Sequence, residues 1–132
     1  MIHSVDRMVL AQEIDKQAQK NHLVMPVLLQ VNIAHEPQKG GVDPDGLMPL
    51  LREAARLPGI DIRGLMAIMP AQADEAALTA LFQGMRGLFE KCREEAVDHT
   101  HIQELSMGMT RDYALAARAG ATMVRVGSAL FK

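Results

Sequence analysis

Short apolar runs alternate along the chain with longer stretches in which apolar residues recur every three or four positions. Residues 2–5 (Ile-His-Ser-Val) predict a short strand, and residues 6–20 a helix with Ile14 and Ala18 four apart. Residues 27–32 form a near-continuous apolar run, the pattern of a strand covered on both faces. A polar loop over 35–41 follows. Asp43 then Pro44 marks a helix start, and Leu47, Leu50, Leu51 and Ala54 supply its apolar stripe; Pro58-Gly59 ends it. Residues 60–68 predict a third strand. From Asp74 onward Leu78, Leu81, Phe82, Met85, Leu88, Phe89, Cys92 and Ala96 keep helical spacing without a miss. Gly84 and Gly87 inside this helix each cost about 1 kcal/mol relative to Ala, so close packing against a neighbour is expected there. Residues 103–106 predict a fourth strand. Thr110 caps a short Ala-rich helix closed by Gly120, and residues 123–126 predict a fifth strand.

The predicted order is βαβαβαβαβ, with connections too long for hairpins, which implies a parallel sheet with right-handed crossovers. Two α/β architectures satisfy it: an open doubly wound sheet, or part of a (β/α)₈ barrel. A full barrel typically needs ~250 residues, and the 132 residues here supply about half. Periodicity leaves both open. No internal repeat interrupts the alternation.

Composition narrows the function classes. Hydrophobic residues make up 48% and charged residues 23%, values of a globular domain rather than a disordered segment. A formal charge of −2 is far from the basic balance that phosphate-backbone binding needs, so nucleic acid is not expected as a partner. Cys92 is the single cysteine and falls in the helical apolar stripe, where it reads as core. The apolar stretch 23–31 is interrupted by Pro26 and Gln30 and is too short to span a bilayer. Residues 1–6 lack the basic-then-apolar run of a signal peptide. A cytoplasmic protein without a membrane partner is expected.

Two turns could carry chemistry. Ser106-Met107-Gly108-Met109-Thr110 joins the fourth strand to its helix, and a glycine at a strand exit lets backbone approach an anionic ligand. Arg125 lies on the opposite face from Val124 and Val126, where a charge is expensive unless it is paired or meets a ligand; Gly127-Ser128 follows it. In (β/α)₈ enzymes a phosphate often sits between the loops after strands seven and eight, and both turns would fall there if these are a barrel's last two strands. Met66 closes a core strand and could line a flat ligand. His99 and His101 are two apart, but no third ligand type stands near them in sequence, so no metal site is expected. Glu13, Asp15, Glu94 and Glu95 read as solvated helix faces. No P-loop, GxGxxG or Ser-His-Asp order is present.

Taken together, Gln30-Val31-Asn32 with Glu36 and Lys39-Gly40, Arg63-Gly64-Leu65-Met66, Leu105 to Thr110 with Asp112, and Val124-Arg125-Val126-Gly127 resemble the pyridoxal phosphate homeostasis protein family, from Ser4-Val5-Asp6-Arg7 onward. That family is similar to the barrel domain of alanine racemase and other fold-type III enzymes. The resemblance implies a (β/α)₈ barrel of which this chain is the C-terminal half, strands four to eight, as one partial domain. It also implies pyridoxal 5'-phosphate (PLP) at the C-terminal strand ends. The turns Ser106 to Thr110 and Gly127-Ser128 would hold the phosphate, and Arg125 would face the pyridine nitrogen. A guanidinium, with pKa ~12 or higher, does not give up its proton readily. The ring nitrogen would then stay unprotonated and be a poor electron sink, in keeping with a PLP carrier or regulator more than an enzyme.

The family's Schiff-base lysine belongs to its first strand, upstream of anything in this sequence. Lys16, Lys20, Lys39, Lys91 and Lys132 lie in helices, a loop or at the terminus, and none ends a strand. Thr110 and Ser128 stand where Ser and Thr are usual and keep the hydroxyls. The resemblance therefore implies a partial PLP homeostasis protein that binds PLP non-covalently at most, and self-associates or pairs with a missing N-terminal half. A half of a racemase-like PLP enzyme is an alternative, for which Tyr113, on a helix, is a poor acid–base residue. A phosphate-binding half-barrel used as an interaction module is another.

Overall fold

A computed structural model describes residues 1–37 and 39–125. Five strands alternate with four helices: β1 (Ile2–Val5), α1 (Met8–Lys20), β2 (Met25–Gln30), α2 (Pro44–Ala54), β3 (Ile60–Met66), α3 (Glu75–Glu95), β4 (Thr100–Met109), α4 (Tyr113–Arg118) and β5 (Met123–Arg125). All strand pairings are parallel, and the spatial order β1-β2-β3-β4-β5 is the sequence order. A doubly wound sheet needs a reversal of order at its switch point. None occurs here, so the sheet winds in one direction, as in part of a (β/α) barrel.

The core lies between the sheet and its helices. Val27 and Leu29 of β2, Ile62 and Leu65 of β3, and Leu105 and Met107 of β4 meet Leu47 and Leu51 of α2 and Phe82, Met85 and Phe89 of α3. Gly64 sits where the ladder shifts register against both β2 and β4. A regular strand that buries Ile62 against the helices would turn Leu65 away from them. The irregularity at Gly64 restores Leu65 to the core and sends Met66 to the other face. Arg86 of α3 donates to the Gly120 carbonyl at 3.1 Å, tying down the segment that leads into β5.

Several expectations need correction. The fourth strand runs from Thr100 to Met109 rather than over 103–106: Leu105 and Met107 alternate inward, and the register shift between Thr100 and Glu104 brings Ile102 to the same core. Thr110 is not the cap of the last helix; Asp112 holds that place, and its carboxylate accepts the Met109 N–H at 2.6 Å. Ala96 leaves the α3 stripe as an exposed left-handed cap with φ +46°. Asp15 is buried rather than solvated: its Oδ1 accepts the Gly59 N–H at 2.6 Å and its Oδ2 accepts from the Gln19 amide at 2.9 Å.

The two helical glycines do not mark tight packing. A Cβ on Gly84 would make only an ordinary 3.5 Å contact with Ile33, and one on Gly87 would meet open space. Gly87→Ala should therefore raise stability by about 1 kcal/mol, from helix propensity alone. Chemical denaturation reads this directly, and a destabilised variant would mean that something covers this helix face.

Candidate functional site

Because every strand is parallel, the C-terminal ends of β1 to β5 share one rim. Side-chain alternation sorts residues to two faces. Leu28 and Met66 are buried yet stand outside the cluster under the helices, and Ser106 is Met66's partner in the β3–β4 ladder. These three belong to the concave face, and His3 and Arg125 join them from the two outer strands.

Arg125 Nη1 donates to the Ser106 hydroxyl at 2.8 Å, and its Nη2 donates to the Ala67 carbonyl at 3.0 Å. The Ser106 Oγ also lies 3.3 Å from His3 Nδ1. Both acceptors of the guanidinium are neutral, and no carboxylate pairs with it among the described residues. Burial draws the Arg125 pKa below its ordinary value, while the charge of Asp112 works the other way. Arginine titrates so high that the group stays cationic at neutral pH. A half-buried cation solvated only by dipoles attracts an anion or a lone pair.

Next to it, Gly108 has φ +101°, and a Cβ there would stand 2.6 Å from the Ala116 Cβ. Only glycine meets both the left-handed backbone and the close approach of α4. Beyond Met109 the rim opens into a cleft of about 330 Å³ lined by Lys39, Met69, Met109, Thr110 and Asp112 among others.

The expected site residues thus divide. Ser106, Met66 and Arg125 come together on the concave face. The Met107 side chain is buried in the helix-facing core, which leaves only its backbone to a ligand. The Met109 amide is held by Asp112, and Met109 and Thr110 line the rim cleft. Gly127 and Ser128 lie outside the described residues. Lys16 and Lys20 sit on α1 and Lys91 on α3. Lys39 is bonded to Glu36 at 3.1 Å and to the Met69 carbonyl at 3.3 Å, and Lys132 lies outside the described residues.

Two participants are absent from the expected set. Ala67 acts through a backbone carbonyl, for which a sequence carries no sign. His3 carries a weak one: with Ser4 it is one of two polar residues between Ile2 and Val5, both turned to the core. His101 is engaged elsewhere, near the N-terminal end of the concave face, where its Nδ1 lies 2.7 Å from Asp61 Oδ1 while Arg63 donates to Oδ2 at 2.6 Å. Burial pushes the Asp61 pKa up, but these two bonds outweigh it and hold the carboxyl below its ordinary value. Among the described residues no group of three His, Cys, Asp or Glu could hold a metal ion. Among them, too, no helix is long and apolar enough to cross a membrane.

Comparisons with known proteins agree with this architecture. The pyridoxal phosphate homeostasis protein of Aquifex aeolicus is 40% identical over 131 residues, which is 99% of this chain and 57% of that protein. Its counterpart in Pasteurella multocida is 37% identical over 130 residues, 98% of this chain and 55% of its own length. The chain therefore spans just over half the length of these relatives. PipY of Synechococcus elongatus, 37% identical, superposes with a TM-score of 0.92 without PLP and 0.88 with PLP bound, covering 99% of this chain and 60% of PipY. The parallel five-stranded sheet is a curled half-barrel of this type. The family described as the alanine racemase N-terminal domain matches residues 1–132, and the chain belongs to that family.

Proposed function

We propose that this chain supplies the phosphate and pyridine side of a PLP site in a cytoplasmic protein of PLP homeostasis, its five strands being strands four to eight of an eight-stranded barrel. One observation carries the reading: a half-buried Arg125, held in place by Ser106 and Ala67, is left without a carboxylate at the strand-end rim among the described residues. Pyridine nitrogen offers the lone pair such a cation lacks. The residues fit the group, since a strand-exit glycine that tolerates no side chain stands beside the same rim. Arg125 would meet the ring nitrogen and Met66 would flank the ring. The backbone from Met107 to Met109, the Thr110 hydroxyl, Gly127 and Ser128 would take the phosphate, with the Met109 amide released from Asp112.

PLP, when bound, brings an aldehyde and a pyridine ring. An arginine facing that ring keeps its nitrogen unprotonated and weakens it as an electron sink. This favours holding the cofactor over carbanion chemistry. Tyr113 lies exposed on α4, a poor place for the acid–base partner that a racemase would need. No described lysine ends a strand, so these residues would bind PLP non-covalently. Strands β1 and β5 are the outer strands among those described, and open parallel edges favour association with a second copy or a preceding part of the barrel.

Equilibrium titration with PLP and with inorganic phosphate tests the reading. Arg125→Met should weaken PLP about tenfold, the equivalent of one charge-assisted hydrogen bond, and leave phosphate affinity unchanged. Equal affinity for PLP and phosphate, both indifferent to this substitution, would instead make the site a plain phosphate-binding one.

A further inference from the structure

The Ser106 hydroxyl is fully buried and receives a hydrogen bond from Arg125. A guanidinium only donates, so the proton on Ser106 Oγ needs an acceptor of its own. Among the described residues its other side-chain partner is His3 Nδ1, at 3.3 Å. If that nitrogen carried a proton, the serine would accept twice and its own O–H would be left buried without a partner, an expensive arrangement. Donor counting therefore places the imidazole proton on Nε2 and a lone pair on Nδ1.

We propose that His3 is the positioning residue of this site: its unprotonated Nδ1 accepts a hydrogen bond from the Ser106 hydroxyl, turns a Ser106 lone pair toward Arg125, and so aims the guanidinium at the rim. The claim that a ligand benefits rests on the PLP reading above; the hydrogen-bond relay itself does not. Electrostatics act in the same direction. Burial and the Arg125 charge lower the His3 pKa, and the opposing charge, Asp112, acts on Arg125. The neutral imidazole thus holds the relay at neutral pH. Acidification through the lowered His3 pKa puts a proton on Nδ1, sets a second cation near Arg125, and breaks the relay.

The first test needs no ligand. Nitrogen chemical shifts of the His3 ring, read by NMR through its carbon-bound protons, should show the Nε2–H tautomer in the wild type and a mixture of tautomers in Ser106→Ala. A dominant Nδ1–H form in the wild type would overturn the proposal. The second test compares PLP affinity near pH 7.5 and pH 5.5. PLP's own phosphate titrates between them, with pKa about 6, so the readout is the ratio between proteins. His3→Asn places an amide oxygen where Nδ1 was. It should match wild type at pH 7.5 and bind more tightly than wild type at pH 5.5, by at most about tenfold because the His3 pKa lies below its ordinary value. His3→Ala should be weaker than wild type at pH 7.5. Parallel profiles for wild type and His3→Asn would overturn the positioning role. Absence of PLP binding in every protein would refute the PLP reading, while the tautomer measurement would still decide the relay.

Discussion

Gly64→Ala should destabilise the protein by about 3–5 kcal/mol, or prevent it from folding. A Cβ at this position would overlap the Glu104 carbonyl oxygen and lie 2.6 Å from the carbon behind it. Both are backbone atoms of the neighbouring strand, so no side-chain rotation relieves the overlap. Relief requires parting β3 from β4, and that seam is lined on the helix side by Leu65 and Leu105, both fully buried. It also threatens the phase shift that sends Leu65 to the core and Met66 to the concave face. Urea or thermal unfolding measures the loss. A change under 1 kcal/mol would show that the two strands do not approach as described.

Phe82→Ala ranks beside it, with an expected loss of about 3–5 kcal/mol. The ring is completely buried on the face of α3 that also presents Leu78, Met85 and Cys92 to the sheet. Those neighbours belong to a 21-residue helix and cannot all move inward to fill the space a ring leaves. Phe82→Leu keeps most of the volume and should lose less than half as much. Phe89 gives a useful contrast. It is 2% exposed, and its ring is flanked by Arg86 at 5.1 Å and Arg93 at 5.7 Å. Part of any loss at Phe89 would therefore come from cation–π contacts rather than from a cavity. A Phe82→Ala loss below 2 kcal/mol would contradict the packing of α3 on the sheet.

How much of the fold is legible in the sequence follows from where the information is stored. The order of strands and helices is carried by side-chain periodicity, so the spacing of Leu78 through Cys92 is enough to specify α3. Strand order within the sheet depends on contacts between distant segments, and periodicity leaves the two architectures open. The spacing makes β4 too short because Thr100 and His101 look like loop residues before it and Met107-Gly108-Met109 reads as a turn after it, although the strand runs through both. Thr110 and Asp112 are both good cap residues two positions apart, and the glycine bend at 108 with the Asp112–Met109 bond decides between them. At the site, Arg125 stands out as a charge in an apolar strand. Its partner Ser106 reads as part of a phosphate-binding turn, because sequence does not show that β4 continues through it. Glycines carry opposite meanings in the same chain: Gly64 and Gly108 answer to backbone and side-chain atoms pressing on them, whereas Gly87 answers to nothing nearby.

Because each described strand lies beside its immediate predecessor, no pairing among these five waits for a remote segment to be synthesised. A polypeptide leaving the ribosome can add one unit at a time, each new strand docking on a template already laid down. The separations to be bridged are then those of single βαβ units, which keeps the entropy of loop closure modest at every step. The growing edge is also the surface most open to wrong partners until the next unit arrives. Assembly speed and aggregation risk in this protein are set by the same succession.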